Sequence, residues 1–374
     1  MTTTTVQPGC IELLDRAAEL LGGARVGLLA HQASILPDLS YLPDRLLDHP
    51  AVRLVALFGP EHGLAGAAQD QVGVGRSVYR GAPVCSLYGK TEADLQPTPE
   101  SLAGIDTLVV DLQDVGARYY TFIYTMAYCL EACAAAGKRV IVCDRPNPLN
   151  GVAVEGPVLE PAFASFVGRF PLPVRHGKTI GELARQWNRE QGWNAELLVL
   201  PCSGWDRRMW FDETGLPWAP PSPNMPTLDT ATVYPGGCLV EGTNLSEGRG
   251  TTRPFEIAGA PWLDGRALAA ELNALALPGV HFRPISFVPT FHKFAARTCE
   301  GVFVHVVDRD AFRPFDAYLH LIAAARRQSR RDFAWRTEPY EFVSDRLAFD
   351  LLCGTDRIRR EIEAATAFKN DLSD

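Results

Sequence analysis

The sequence predicts an α/β protein: an open, mostly parallel sheet with helices on its faces, followed by a second, smaller α+β domain. Three observations carry this reading. Short apolar runs alternate with helical patterns from Arg25 to Leu200, the signature of a parallel sheet. A stiff proline-rich segment, Pro217 to Pro226, then breaks the alternation. Beyond it, helices and strands follow without a regular repeat. The expected boundary therefore divides residues 1–226 from 227–374.

Each element has its own local reason. Ile11 to Leu21 has apolar residues at helical spacing and ends at Gly22-Gly23. Arg25–Ala30 reads as the first strand and delivers His31 and Gln32 to the loop behind it. Leu39 to Leu47 reads as a helix. Val52–Leu57 is a buried strand that Gly59 and Pro60 stop, so Glu61 and His62 project beyond its carboxyl end. Gly63 to Gly81 is glycine-rich. Its Gly73-Val74-Gly75 has Val78 where a dinucleotide fingerprint needs a third glycine, and a mobile loop over the site is the better reading. Val84–Tyr88 and Ile105–Leu112 are strands, and Tyr119 to Ala136 is a helix stopped by Gly137. Arg139–Cys143 is a strand ending at Asp144-Arg145-Pro146, where proline forbids helix. Thr179 to Gln191 is a helix with Thr179 and Glu182 at capping-box spacing, and Glu196 to Leu200 is a strand. In the second domain, Gly236 to Arg253 reads as a polar loop. Helices are expected near 265–276, 311–327 and 343–352, and strands near 281–288 and 301–307.

Composition narrows the function. The 374 residues are 47% hydrophobic and 21% charged, enough to bury a full core. A net charge of -8 without basic blocks argues against nucleic acid and against an anionic membrane surface. The amino terminus lacks the charged and apolar regions of a signal peptide, and no apolar stretch is long enough to span a bilayer. Nine cysteines without paired spacing suit free thiols in a reducing compartment, so a cytoplasmic protein is expected. Cys129 and Cys133 read as packed thiols on a helix rather than a zinc site.

Chemistry concentrates at strand ends. His31, Glu61-His62, Asp111 with Asp114, and Asp144-Arg145 each follow a predicted strand, and a parallel sheet would bring them to one edge, where ligands bind in open α/β folds. Three chemistries fit. Glycoside hydrolysis needs a protonated carboxyl and a group opposite to stabilise or attack the sugar cation. Metal-assisted hydrolysis would draw on His31, His62, His176 and a carboxylate, but no ligand spacing such as His-Glu-x-x-His is present. Non-catalytic sugar binding would stack a ring on Tyr119, Tyr120 or the tryptophans at 205, 210 and 218. There is no nucleophile elbow and no phosphate loop.

Several longer motifs carry a resemblance. Phe58–Gly63, Asp111–Thr121, Asp144–Gly151, Trp218–Thr227 and Glu241–Glu256 are similar, in that order, to motifs of the NamZ-type exo-β-N-acetylmuramidases, from about residue 25 to the end. The resemblance implies a Rossmann-like amino-terminal catalytic domain, a smaller auxiliary carboxyl-terminal domain, and removal of terminal N-acetylmuramic acid from peptidoglycan fragments. It implies a small saccharide as substrate and no nicotinamide or other cofactor. The family's catalytic glutamate maps onto Glu61. His31 departs from the Thr-Asn-Gln found in many members, where this chain has Ala30-His31-Gln32.

On that basis Glu61 is expected as the general acid, a role that burial favours. His62 and Gln32 would orient it or the sugar. The second group is open: Asp114 orienting the substrate's own acetamide, or Asp114 or Glu241 acting as base on water. The lactyl carboxylate of muramic acid needs a cation, for which Arg118, Arg249 and Arg253 are the candidates. His31, Asp111, Tyr119, Asp144, Arg145, Asn224 and Asn244 complete the expected substrate-binding set.

Overall fold

The computed structural model describes residues 5–66 and 77–364. Most of the glycine-rich stretch expected to cover the site therefore lies outside the described residues. The chain forms two compact units. The first comprises residues up to Gly116, Tyr120–Val152 and Gly177–Pro226; the second takes Ala117–Tyr119, Ala153–His176 and the chain from Thr227 onward.

The first unit is built on a seven-stranded sheet. Its strands are β1 (Arg25–Ala30), β2 (Arg53–Gly59), β3 (Ser77–Tyr79), β4 (Ala82–Ser86), β5 (Thr107–Asp111), β6 (Arg139–Cys143) and β7 (Leu197–Leu200). They lie in the order β3-β4-β2-β1-β5-β6-β7, and every pairing is parallel except β3 with β4. Without β3 this is the doubly wound order, whose direction reverses between β1 and β5. The apolar runs at 26–30, 108–110 and 140–143 are fully buried, as central strands covered on both faces must be. Ala30 pairs with Asp111, so the loops that follow β1 and β5 leave the sheet side by side.

Departures from the sequence reading have local causes. The first helix breaks at Arg16 into Gly9–Asp15 and Ala17–Leu21. β2 runs through Gly59 and stops only at Pro60. Gly59 is required there because the next turn folds back over it: a Cβ on Gly59 would lie 2.7 Å from the Leu64 nitrogen. The helix expected from Tyr119 begins at Phe122. Pro217–Pro226 is not a spacer. It packs within the first unit, with Ser222, Asn224 and Met225 buried.

The second unit holds an antiparallel sheet of β8 (Ile257–Ala260), β9 (Val280–Phe287) and β10 (Cys299–Val306), in the order β8-β10-β9. The helix Pro314–Gln328 is buried along most of its length. The stretch from Gly236, expected as loop, instead ends the helix Leu228–Gly237 and continues as the 3-10 turn Cys238–Gly242. Glycine reads as a helix breaker, but here it allows close packing. A Cβ on Gly236 would fall 2.0 Å from the Pro314 carbonyl oxygen, and one on Gly237 2.8 Å from the Phe255 side chain. No helix among the described residues is long and apolar enough to cross a membrane.

The helix Ile180–Glu190 carries the predicted capping box: the Glu182 amide donates to Thr179 Oγ1, and the Thr179 amide to Glu182 Oε2. The Thr179 hydroxyl also donates to Asp144 Oδ2 at 2.8 Å, joining the end of β6 to the helix. Thr179→Ala should therefore destabilise the protein by about 1–2 kcal/mol, measured as a lower urea midpoint with an unchanged slope.

Candidate functional site

The strands β1, β2, β5 and β6 run parallel, so the polar residues behind them share one edge of the first unit. They fall into two groups. One holds the edge together, and the other surrounds Glu61.

His31 belongs to the first group. Its ring is fully buried; Nε2 accepts from the Gln113 amide at 3.0 Å, and Nδ1 lies 3.3 Å from the Pro221 carbonyl. An acceptor at Nε2 requires the proton at Nδ1, so both nitrogens are used by the fold and the ring is neutral. Burial first, then the Arg145 charge, pushes its pKa down to about 3. Gln32 donates its side-chain amide to the Pro220 carbonyl. Pro220 and Pro221 thus occupy the mouth of the β1–β5 reversal, where doubly wound folds receive ligands. A metal role for His31 is incompatible with these bonds, and among the described residues no three His, Cys, Asp or Glu side chains are grouped to hold a metal ion.

Asp111 and Arg145 form a buried, two-bond ion pair, Nε to Oδ1 and Nη2 to Oδ2, each at 2.7 Å, and Arg145 also donates to the Ile35 carbonyl. This ties the loops behind β1, β5 and β6. Asp144 receives Thr179 Oγ1 and the Gly181 amide, each at 2.8 Å, and burial raises its pKa to about 6 against those bonds. It acts as an anchor for the helix Ile180–Glu190.

The second group surrounds Glu61. The turn after β2 closes with the Gly63 amide on the Pro60 carbonyl at 2.9 Å, and His62 and Gly63 take φ of 70° and 77°. That turn buries Glu61 at 5% exposure, and its Oε2 accepts from Thr121 Oγ1 at 2.8 Å. Thr121 begins the helix Phe122–Ala135, and the Phe122 ring meets three others edge-on: His31 at 4.9 Å, Tyr120 at 4.8 Å and His62 at 6.4 Å. Burial pushes the Tyr120 phenol well above its ordinary range; a bond to Ser222 lowers it, and the charges of Asp114 and Glu61 raise it further. Both carboxylates therefore act on one ring. Asp114 is itself buried, its Oδ2 fixed by the Gly116 amide at 2.8 Å. Asn224 is buried in the turn at 222–225.

In the second unit, Arg118 is fully buried and donates to the carbonyls of Pro157, Leu172 and Leu352 at 2.7–2.8 Å. Those bonds make it a scaffold cation. Tyr119 donates to the Pro235 carbonyl, and Asn244 holds Asp332 and Ala334 through its amide. Glu241 has both oxygens engaged, Oε1 by Arg249 at 2.7 Å and Oε2 by Tyr340 at 2.8 Å. Glu247 adjoins this network. Burial would raise its pKa, but Lys293 at 3.0 Å and His292 at 2.9 Å hold it well below the usual carboxylate range. Arg253 keeps 46% of its side chain exposed, with one bond to Glu256 at 3.1 Å.

Sequence reasoning missed Tyr120 and Thr121 as neighbours of Glu61. The motif Asp111–Thr121 contains both, but nothing in a linear pattern pairs residue 121 with residue 61. Glu247 lies within a matched motif, whereas Tyr340 gives no local signal.

The His31 ring gives a pH prediction. Its folded pKa is depressed, so the stability it contributes is complete above about pH 6.5 and is lost as pH falls toward 3. His31→Gln should be less stable than wild type at pH 7. The gap should narrow by about 1.4 kcal/mol per unit between pH 6 and 4, read from urea unfolding at each pH. A gap independent of pH would mean that the ring is not held neutral.

Comparison with known proteins places this geometry in a family. A family profile described as "Exo-beta-N-acetylmuramidase NamZ, N-terminal" matches residues 26–229, and its C-terminal counterpart matches 232–372. The chain is 47% identical over 370 residues to "Peptidoglycan beta-N-acetylmuramidase NamZ" of Bacillus subtilis (strain 168), covering 98% of this chain and 87% of that protein. A crystal structure of a DUF1343 family protein from Bacteroides fragilis NCTC 9343 superposes with a TM-score of 0.86 at 36% identity, covering 96% of this chain and 92% of that one. A second from the same organism gives 0.71 at 29% identity, covering 96% and 91%. Matched in both halves and along nearly its whole length, the chain belongs to the exo-beta-N-acetylmuramidase NamZ family.

Proposed function

We propose that this protein is a glycosidase that releases N-acetylmuramic acid from the non-reducing end of peptidoglycan fragments, with Glu61 as general acid. Family membership supplies the reaction class. The observation that carries the assignment of the acid is the turn after β2. It buries one carboxyl at the ligand-binding edge of the sheet, where Oε2 accepts from the Thr121 hydroxyl. Of the other edge carboxylates, Asp111 and Asp144 are committed to an ion pair and to a helix start.

For the second group, Asp114 fits better than Glu241. Both Glu241 oxygens are taken by Arg249 and Tyr340, which suits a fixed anion rather than a base. Asp114 is held in one orientation beside Tyr120, as a residue that orients the acetamide of the sugar would need to be. His62 borders the same ring cluster and serves as an orienting group. For the lactyl carboxylate, Arg253 is favoured over Arg118 and Arg249, because its guanidinium is the exposed one. All nine cysteines are free and seven are buried, which supports a reducing, cytoplasmic setting.

Glu61→Gln should fold as wild type and lose at least about a hundredfold in kcat on a MurNAc-β-1,4-GlcNAc disaccharide, the ordinary contribution of a general acid. Retention within about tenfold, roughly 1.4 kcal/mol of barrier, would remove Glu61 from the role. Arg253→Ala should raise KM for the same disaccharide by about tenfold or more with little change in kcat, the mark of lost ground-state binding. An unchanged KM would assign the carboxylate to another cation.

A further inference from the structure

We propose that Arg253 and Arg283, set against one phenylalanine ring on the open face of the β8-β10-β9 sheet, form a carboxylate site, with Arg283 as the second cation that selects an acidic sugar. The inference rests on the reading of Arg253 as the cation for the lactyl carboxylate and adds the residues that make the site with it.

The site follows from strand register. β9 and β10 pair antiparallel, with Arg283 opposite Phe303 and His281 opposite His305. Residues opposite one another share a face, and side chains alternate along each strand. Phe282, Val302 and Val304 are buried on one face. Arg283, His281, Phe303 and His305 therefore stand together on the other, where Arg283 and His281 are exposed. Arg253 comes to the same ring from the loop before β8. The Thr251 hydroxyl donates to the Gly248 carbonyl at 2.6 Å and accepts from the Arg253 amide at 3.1 Å, which fixes the backbone there.

Both guanidiniums lie over Phe303, with the Arg283 Cζ 5.5 Å and the Arg253 Cζ 5.9 Å from the ring centroid. An aromatic face attracts a cation, but two cations on one ring repel each other. Arg253 has a partial answer in Glu256: Nη1 donates to Oε2 at 3.1 Å. Glu256 is buried, and its other oxygen takes the Thr230 hydroxyl at 2.7 Å. Arg283 forms no ion pair among the described residues; its polar partner is His305, where Nε donates to Nε2 at 3.1 Å. An imidazole nitrogen that accepts carries no proton, so His305 is neutral, with its proton at Nδ1. Burial first, then the charges of Arg283, His281 and Arg253, lowers its pKa, so all three groups act on one ring. The face thus holds two guanidiniums beside a neutral imidazole. An incoming carboxylate supplies the missing negative charge, and its two oxygens match the planar arginine fork. An uncharged sugar supplies neither.

The test is calorimetric titration of the full chain with N-acetylmuramic acid and with its lactyl methyl ester, which differ in the charge of one group. Binding needs no turnover, so the result does not depend on Glu61. Wild type should bind the acid at least about tenfold more tightly than the ester. Arg283→Gln and Arg253→Ala should each weaken binding of the acid by about tenfold, roughly 1.4 kcal/mol, and change binding of the ester by less than about threefold. Arg283→Lys, which keeps the charge and loses the fork, should fall between wild type and Arg283→Gln. Equal losses on acid and ester, or a wild type that does not separate the two, would overturn the inference. So would displacement of N-acetylmuramic acid by inorganic phosphate as readily as by D-lactate, which would make the face a general anion site. The two arginines separate the readings. If Arg253→Ala weakens binding of the acid and Arg283→Gln does not, only the role of Arg283 falls; if neither does while wild type still separates acid from ester, the assignment of Arg253 falls with it.

Discussion

A neutral imidazole at the reversal point of the sheet is the constraint on which this edge of the first unit depends. His31 follows β1, takes the Gln113 amide from behind β5, and gives its proton to Pro221. Three chain segments that would otherwise be independent loops are thereby fixed in one tautomeric arrangement. Asp111 and Arg145 repeat the device one strand further along. A buried ion pair of this kind is a weak source of stability, but breaking it is costly. Its contribution is therefore to geometry: it leaves the loops behind β1, β5 and β6 a single way to leave the sheet.

On that scaffold the turn after β2 can hold a carboxyl in a buried position. Gly59 lets the turn fold back, and the left-handed residues His62 and Gly63 close it. Departures from local preference gather here. His62 has positive φ, and the Thr121 hydroxyl donates to Glu61 rather than bonding within its own helix. Sequences ordinarily satisfy local rules, and clustered exceptions mark places where something other than stability decides.

Much of this was legible in the sequence, and the limits are instructive. β1 and β6 were readable to the residue because a short apolar run bounded by polar residues has little choice when buried on both faces. The capping box at Thr179 is a local pattern and was equally plain. Glu61 stood out because it follows a strand and a proline. The roles of His31, Asp144 and Arg118 were not readable, since each depends on partners far along the chain: Pro221 for His31, Gly181 for Asp144, Leu352 for Arg118. Polar residues at strand ends look alike in sequence whether they anchor loops or meet substrate. The helix at 228–237 was hidden because its glycines signal a break, while their actual work is to admit Pro314 and Phe255.

The central claim is that the protein removes a terminal muramic acid residue by hydrolysis. It is tested most directly by mass-resolved product analysis after incubation with MurNAc-β-1,4-GlcNAc beside GlcNAc-β-1,4-MurNAc. The account predicts free MurNAc and free GlcNAc from the first and no change in the second. Cleavage of both disaccharides, or binding of the first without product, would contradict it.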